Sequence, residues 1–300
     1  MYERTLKVKS EELLVKALDN PDFLCESGSY LYGMNTPTSD YDLRGFIMSP
    51  PPYLIGAANF KAIELEGDTK IYSLEHFLKL VLKGDPQCSE LFFADRKHFK
   101  SISPIGEQVL KMKDLLISNA IYGRIMGYST GEWRKAMAIK LVPKRRKKEK
   151  SEVINDIRNL WHPDKEIMDS VIKSLESLDE MQIVSSKAGL GIRRKADIEK
   201  YGFCRKSAAH SIRLVKQLKE LMLTGTMTFP RPDAELLLNI REGKYTKDEL
   251  EEMHKDVVAD ASKARDKSIL PNEPNEKKVW ESYFELAMDT LRSAMSMVGD

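Results

Sequence analysis

Cysteine is scarce in this chain. Cys25, Cys88 and Cys204 are odd in number and widely spaced. They offer neither a disulfide framework nor the paired spacing of a zinc site, so the expected setting is reducing and cytoplasmic. No apolar run approaches the roughly 18 residues of a membrane span, and the first residues lack the apolar stretch of a signal peptide. The expectation is therefore no membrane and no secretion. Charge of one sign is also lacking: 48 Lys and Arg stand against 46 Asp and Glu, a formal net charge of +2. That balance excludes an acidic tail and a globally basic nucleic-acid binder; any basic surface must be a local patch. Internal repeats are absent. Apolar residues are plentiful, at 42% of 300 residues, enough for a core of good size in one large or two small domains.

The stretch from Gly28 to Ile47 organises the rest. Gly28-Ser29 closes an apolar run, Phe23-Leu24-Cys25, expected as a first strand over Phe23–Glu26. Asp40 and Asp42 then stand two residues apart, ahead of Leu43, Phe46 and Ile47. A second strand over Asp40–Met48 is expected. On a strand, alternate side chains share a face, so both carboxylates would project together, roughly 7 Å apart along the backbone. Neighbouring carboxylates repel unless a cation lies between them. Mg²⁺ suits such oxygens together with substrate phosphates, and two ions about 4 Å apart would clamp both oxygens of an in-line phosphoryl displacement. Gly28 lets backbone N–H groups approach a phosphate, and Ser29 adds a hydroxyl or caps a helix. An ordinary turn and a solvent-facing strand have the same local pattern. The order of the pieces, an apolar strand, Gly-Ser, a short helix, a polar turn, Ser-Asp-x-Asp and an apolar strand, favours the site.

That order resembles the core of the nucleotidyltransferase superfamily that includes DNA polymerase beta. The longer form, Gly28-Ser29…Tyr32-Gly33…Ser39-Asp40-Tyr41-Asp42…Gly45, is similar to the RNA-ligase-associated (RlaP/YcgL-like) branch found in bacteria and phages. The resemblance implies a third carboxylate on a neighbouring strand. Glu64, Glu66 and Asp68 are candidates around an expected hairpin turned at Gly67-Asp68. Asp68, a few residues before Tyr72-Ser73-Leu74, matches the branch's pattern. Departures are Asp85 for an Asn, His76 for a frequent Lys and Ser207 for a His.

Further along, Ser73 is the expected N-cap of a helix with Leu74, Phe77, Leu78, Val81 and Leu82 on its apolar face. Glu90 reads as a structural acid, packing or pairing near the core. From about residue 101 helices are expected to the end. Lys144–Lys150 and Gly191–Lys195 are basic clusters, the first either a solvated run or a nucleic-acid rest. Lys206, His210, Arg213 and Gln217 fall at relative positions 0, 4, 7 and 11, one stripe along an otherwise apolar helix. Such a stripe should face a cleft and neutralise phosphate charge. Its Lys206…His210…Arg213-Leu214 also resembles an element of the branch, as does Ile240-Arg241-Glu242-Gly243-Lys244.

The expected fold is therefore α+β: a small mixed-sheet nucleotidyltransferase core, residues 1–100, followed by a helical domain, 101–300, that closes the cleft. The resemblance implies a metal-dependent transfer of an NMP from an NTP to a hydroxyl, with release of pyrophosphate. Asp40 and Asp42 would hold two Mg²⁺ (or Mn²⁺) ions, and Asp68 the acceptor-side ion. Gly28 and Ser29 would bind the β,γ-phosphates, and Lys206, His210 and Arg213 the opposite wall. Arg44 reaches either the cleft or an outward salt bridge. The branch's association with RNA ligases implies an RNA end, such as a broken tRNA, as acceptor. Transfer to a protein hydroxyl, and NTP binding without turnover in a regulatory or antitoxin-like module, are the rival readings.

Overall fold

The computed structural model describes residues 2–137, 169, 172–173 and 192–296. The charge run 144–150 and the expected loop 185–191 lie outside the described residues, as does most of the expected helical stretch 151–185. Helix α1 (Tyr2–Asp19) leads into strand β1 (Phe23–Glu26), helix α2 (Gly28–Tyr32), strand β2 (Leu43–Ile47) and helix α3 (Pro51–Leu54). Strands β3 (Ala62–Leu65) and β4 (Thr69–Ser73) form a hairpin. Helices α4 (Leu74–Leu82) and α5 (Pro86–Ser89) follow, then strand β5 (Phe99–Ile102). The remaining described helices are α6 (Pro104–Leu110), α7 (Lys113–Leu116), α8 (Ile121–Ala136), α9 (Ile192–Tyr201), α10 (Arg205–Thr224), α11 (Ala234–Glu242), α12 (Lys247–Asp266) and α13 (Glu276–Ser296). No helix among the described residues is long and apolar enough to cross a membrane.

The sheet has five strands in the order β3-β4-β2-β1-β5. β2 and β4 run parallel; the other neighbours are antiparallel, which makes the sheet mixed as expected. Alternation buries Phe23 and Cys25 of β1 against the core. Phe23 packs on Phe46 and Phe99 at ring-centroid distances of 5.5 and 4.9 Å, and Phe46 on Phe77 of α4 at 4.7 Å. Helix α4 buries Leu74, Phe77, Leu78 and Val81, and the Ser73 hydroxyl caps it by accepting from the His76 N–H. Gly67 (φ +73°) and Asp68 (φ +53°) both turn left-handed where β3 reverses into β4.

Two strand expectations need correction. β2 begins at Leu43, not Asp40. Its partner β1 ends at Glu26, opposite Leu43, and the last rung is the Ser27 N–H donating to the Asp42 carbonyl at 2.9 Å. Gly28 then turns left-handed into α2, so residues 40–42 have no continuing strand to pair with. β5 has no counterpart in the sequence pattern. Its four residues carry no clear alternation and are held by pairing with β1 across a bulge at Leu24/Cys25.

Helix α10 is the axis of the helical part and packs against α8, α11 and α12. It is apolar on most sides, with Ala208, Ala209, Ile212, Leu214, Val215 and Leu218 buried. Where it meets α8 and α12, Ser211 Oγ lies 2.9 Å from Ser129 Oγ and 3.1 Å from His254 Nε2. The His254 ring stacks on Trp133 at 3.8 Å with 7° between planes. Burial pulls the His254 imidazole down from 6.5 to about 4. A depressed histidine stabilises the fold fully above about 6.5, and that contribution is lost as pH falls towards 4. The melting temperature should therefore fall across that window in calorimetry. His254→Phe, which keeps a ring on Trp133, should show a shallower fall.

Candidate active site

Glycine at position 28 is required by geometry. Its φ is +59°, and a Cβ there would lie 2.0 Å from Asp42 Oδ2. The absent side chain lets the Asp42 carboxylate sit against the turn that starts α2. Gly28→Ala would combine a strained backbone with a displaced carboxylate, so turnover should fall by about 10²-fold. Steady-state kinetics beside a thermal melt checks this. Helix α2 ends at Gly33, also left-handed, where the Arg231 N–H donates to the Tyr32 carbonyl at 3.0 Å. The returning loop is closed by the Thr36 N–H donating to Ser39 Oγ at 2.8 Å.

These segments surround a cavity of about 430 Å³. Gly28, Ser29, Asp40 and Asp42 line one side. Lys206, His210 and Arg213 of α10 line the other. Sequence reasoning did not place Gln87, Arg241 or the hydroxyls of Thr36, Thr38 and Ser39 here, yet they line the same cavity. Arg241 enters from α11 and donates to the Met34 carbonyl at 3.2 Å. Its signal was present in the Ile240–Lys244 stretch; the hydroxyls looked like turn chemistry alone.

Asp68 and Arg44 do not line the cavity. Asp68 sits exposed at the hairpin tip beside Asp42, its carbonyl accepting the Leu43 N–H at 3.4 Å. Glu64 is paired with Lys70 at 2.7 Å, and Glu66 is exposed at the same tip. Arg44 turns to the Tyr72 hydroxyl at 3.4 Å, with Nε buried and unpartnered. It nevertheless acts on Asp42. Burial raises the Asp42 carboxyl; Arg44 and Lys206 oppose the rise, while the Asp68 and Asp40 charges add to it.

The basic stripe faces the cavity, but its charge is distributed differently from the sequence expectation. Lys206 is exposed and has no ion-pair partner among the described residues. His210 is pulled down to about 4, first by burial and then by Arg213, so it is neutral at pH 7. Glu132, 3.9 Å from its Nδ1, opposes that shift. Arg213 is 4% exposed and already engaged: its guanidinium covers the Tyr32 ring at 3.9 Å, meets Glu90 at 3.5 Å and bonds Gln217. Packing against Tyr32 of α2 and Glu90 is what desolvates Arg213, while His210 stays half-buried.

Among the described residues, no three carboxylate, imidazole or thiol groups are gathered closely enough to hold a metal ion. The donor chemistry nonetheless fits a hard cation. The Asp40 and Asp42 carboxylates make no hydrogen bond or ion pair among the described residues, both residues line the cavity, and the Asp40 charge adds to the cost of ionising Asp42.

A mixed sheet carrying a Gly-Ser turn against two aspartates, closed by helices, is the architecture of a DNA polymerase beta-like nucleotidyltransferase. More narrowly, the chain belongs to the RNA repair pathway DNA polymerase beta family, RlaP, whose model matches residues 20–283. No curated protein and no solved structure matches the chain.

Proposed function

We propose that this protein transfers an NMP from an NTP to a hydroxyl of an RNA end, releasing pyrophosphate. The observation that carries the reading is the cavity that gathers Gly28, Ser29, Asp40, Asp42 and Lys206 around one space of about 430 Å³. That volume is of the size expected for a small-molecule or cofactor site. Family membership in an RNA repair pathway supports the acceptor class.

In this reading Gly28 and Ser29 present backbone N–H groups and a hydroxyl to the β,γ-phosphates. Lys206 offsets the phosphate charge from the opposite wall. Arg213, tied to Glu90 and Tyr32, positions that wall, and neutral His210 donates or accepts a hydrogen bond there. Asp40 and Asp42 would hold divalent ions, Mg²⁺ or Mn²⁺, with Asp68 joining on the acceptor side and accepting the proton of the attacking hydroxyl as pyrophosphate leaves. Bound divalent ions would supply charge neutralisation at the α-phosphate. Lys206→Ala should weaken NTP binding by about tenfold or more, the worth of one charge-assisted contact, read by calorimetric titration.

A second reading, NTP binding without turnover, is favoured by one observation: Asp68 stands outside the cavity lining. One experiment separates the readings. The protein is incubated with each of four α-labelled NTPs, Mg²⁺ or Mn²⁺, total tRNA and cell protein, with Asp40→Ala/Asp42→Ala as control. Aspartate-dependent label on RNA supports the proposal. Label on protein overturns the acceptor, and bound NTP with no transfer supports the binding module.

A further inference from the structure

We propose that Glu26 is a positioning residue for Asp40 and Asp42, acting through the Tyr41 that lies between them. This rests on the carboxylate–metal reading above. Glu26 is the last residue of β1, opposite Leu43, where the chain turns into Gly28. Its carboxylate accepts three donors from two other parts of the chain. Tyr41 OH donates to Oε1 at 2.8 Å and Lys100 Nζ approaches Oε1 at 2.7 Å. His98 Nδ1 lies 2.7 Å from Oε2. A carboxylate can only accept there, so Nδ1 carries the proton; Nε2 of this buried ring has no partner. Burial alone would raise the Glu26 carboxyl, but the bonds from Lys100, His98 and Tyr41 outweigh it and bring it down to about 2. It is ionised at any working pH.

Tyr41 is held from three directions. Its hydroxyl is on Glu26, Lys100 Nζ sits 5.4 Å from its ring centroid, and its ring meets Tyr30 edge-on at 4.8 Å. Tyr30 follows Ser29 directly. Asp40 and Asp42 line the cavity while Tyr41 does not. Holding Tyr41 on the far side therefore fixes the backbone that presents both carboxylates. This loop has no strand partner over 40–42, so without the Glu26 contact its geometry would rest on the Ser27–Asp42 rung, the 36–39 turn and the ring contacts of Tyr41 with Tyr30 and Lys100. A lone exposed ion pair would be worth little, but a carboxylate shared by three donors is a coupled unit.

The test uses the full chain. Tyr41→Phe keeps the ring and removes only the hydroxyl; Glu26→Gln keeps the shape and removes the charge. Mn²⁺ alone is titrated, with free aquo-Mn²⁺ read by electron paramagnetic resonance, beside thermal melting and turnover against metal concentration. Both variants should bind Mn²⁺ about tenfold or more weakly, the usual effect of losing an outer partner of a ligand, and turnover should recover at raised metal. The Tyr41→Phe melt should stay near the wild type. If both variants bind Mn²⁺ like the wild type while Asp40→Asn/Asp42→Asn loses it, the positioning role is overturned and the metal reading stands. If Asp40→Asn/Asp42→Asn also binds like the wild type, both are overturned.

Discussion

Asp40→Asn/Asp42→Asn should abolish turnover, by about 10³-fold or more, while the protein melts at or above the wild-type temperature. The two halves of this result have one cause. The Asp42 carboxylate is partly buried and has no hydrogen bond or ion pair among the described residues, with Asp68 and Asp40 adding repulsion. Its carboxyl is therefore raised above 3.8. A raised carboxylate contributes stability below its unfolded value and loses it as pH rises, so at neutral pH the charged Asp42 burdens the fold. Asparagine keeps the shape and removes the charge. A thermal melt at pH 7 beside a labelled-NTP assay measures both. Turnover kept within tenfold of wild type would remove these aspartates from the chemistry. A large drop in melting temperature would show them to be structural.

Glu90→Ala should destabilise the protein by about 3–5 kcal/mol, the cost of leaving a buried charge without its partner. Glu90 is 1% exposed, accepts from the Tyr32 hydroxyl at 2.7 Å and faces Arg213 at 3.5 Å. Burial raises its carboxyl, and Arg213 and Tyr32 pull against that rise. Removing it strands the guanidinium between Tyr32 and Gln217. Replacing both partners, Glu90→Leu with Arg213→Met, should cost much less, because no buried charge is then left unpaired. Urea unfolding of the two variants decides it. The double variant should still lose NTP affinity, since Arg213 and Tyr32 both line the cavity. Equal losses of stability in the single and double variants would mean that packing, not charge pairing, holds this junction.

Both results depend on features of different legibility. Position 28 could be read directly: glycine before serine and ahead of Asp-x-Asp is a local pattern, and in the structure the Asp42 carboxylate fills the place that a Cβ would take. Glu90 could be read as a core acid, and it is one, but its partners Tyr32 and Arg213 come from α2 and α10. Nothing in the intervening sequence announces that meeting.

The amino-acid sequence by itself determined what depends on neighbours along the chain. The turn at Gly67-Asp68, the cap at Ser73 and the burial stripe of α4 all follow from backbone freedom, capping and periodicity. Tertiary structure alone decided which members of the Lys206–Gln217 stripe are charged and free. Lys206, at the start of α10, stays exposed; His210 is neutral; Arg213 and Gln217 are buried in a network with Glu90 and Tyr32. It also decided that β2 starts at Leu43, that β5 exists, and that Arg241 joins the cavity from far along the chain. The reason is the same in each case: desolvation and strand pairing are set by whichever element packs alongside, and that element is remote in sequence.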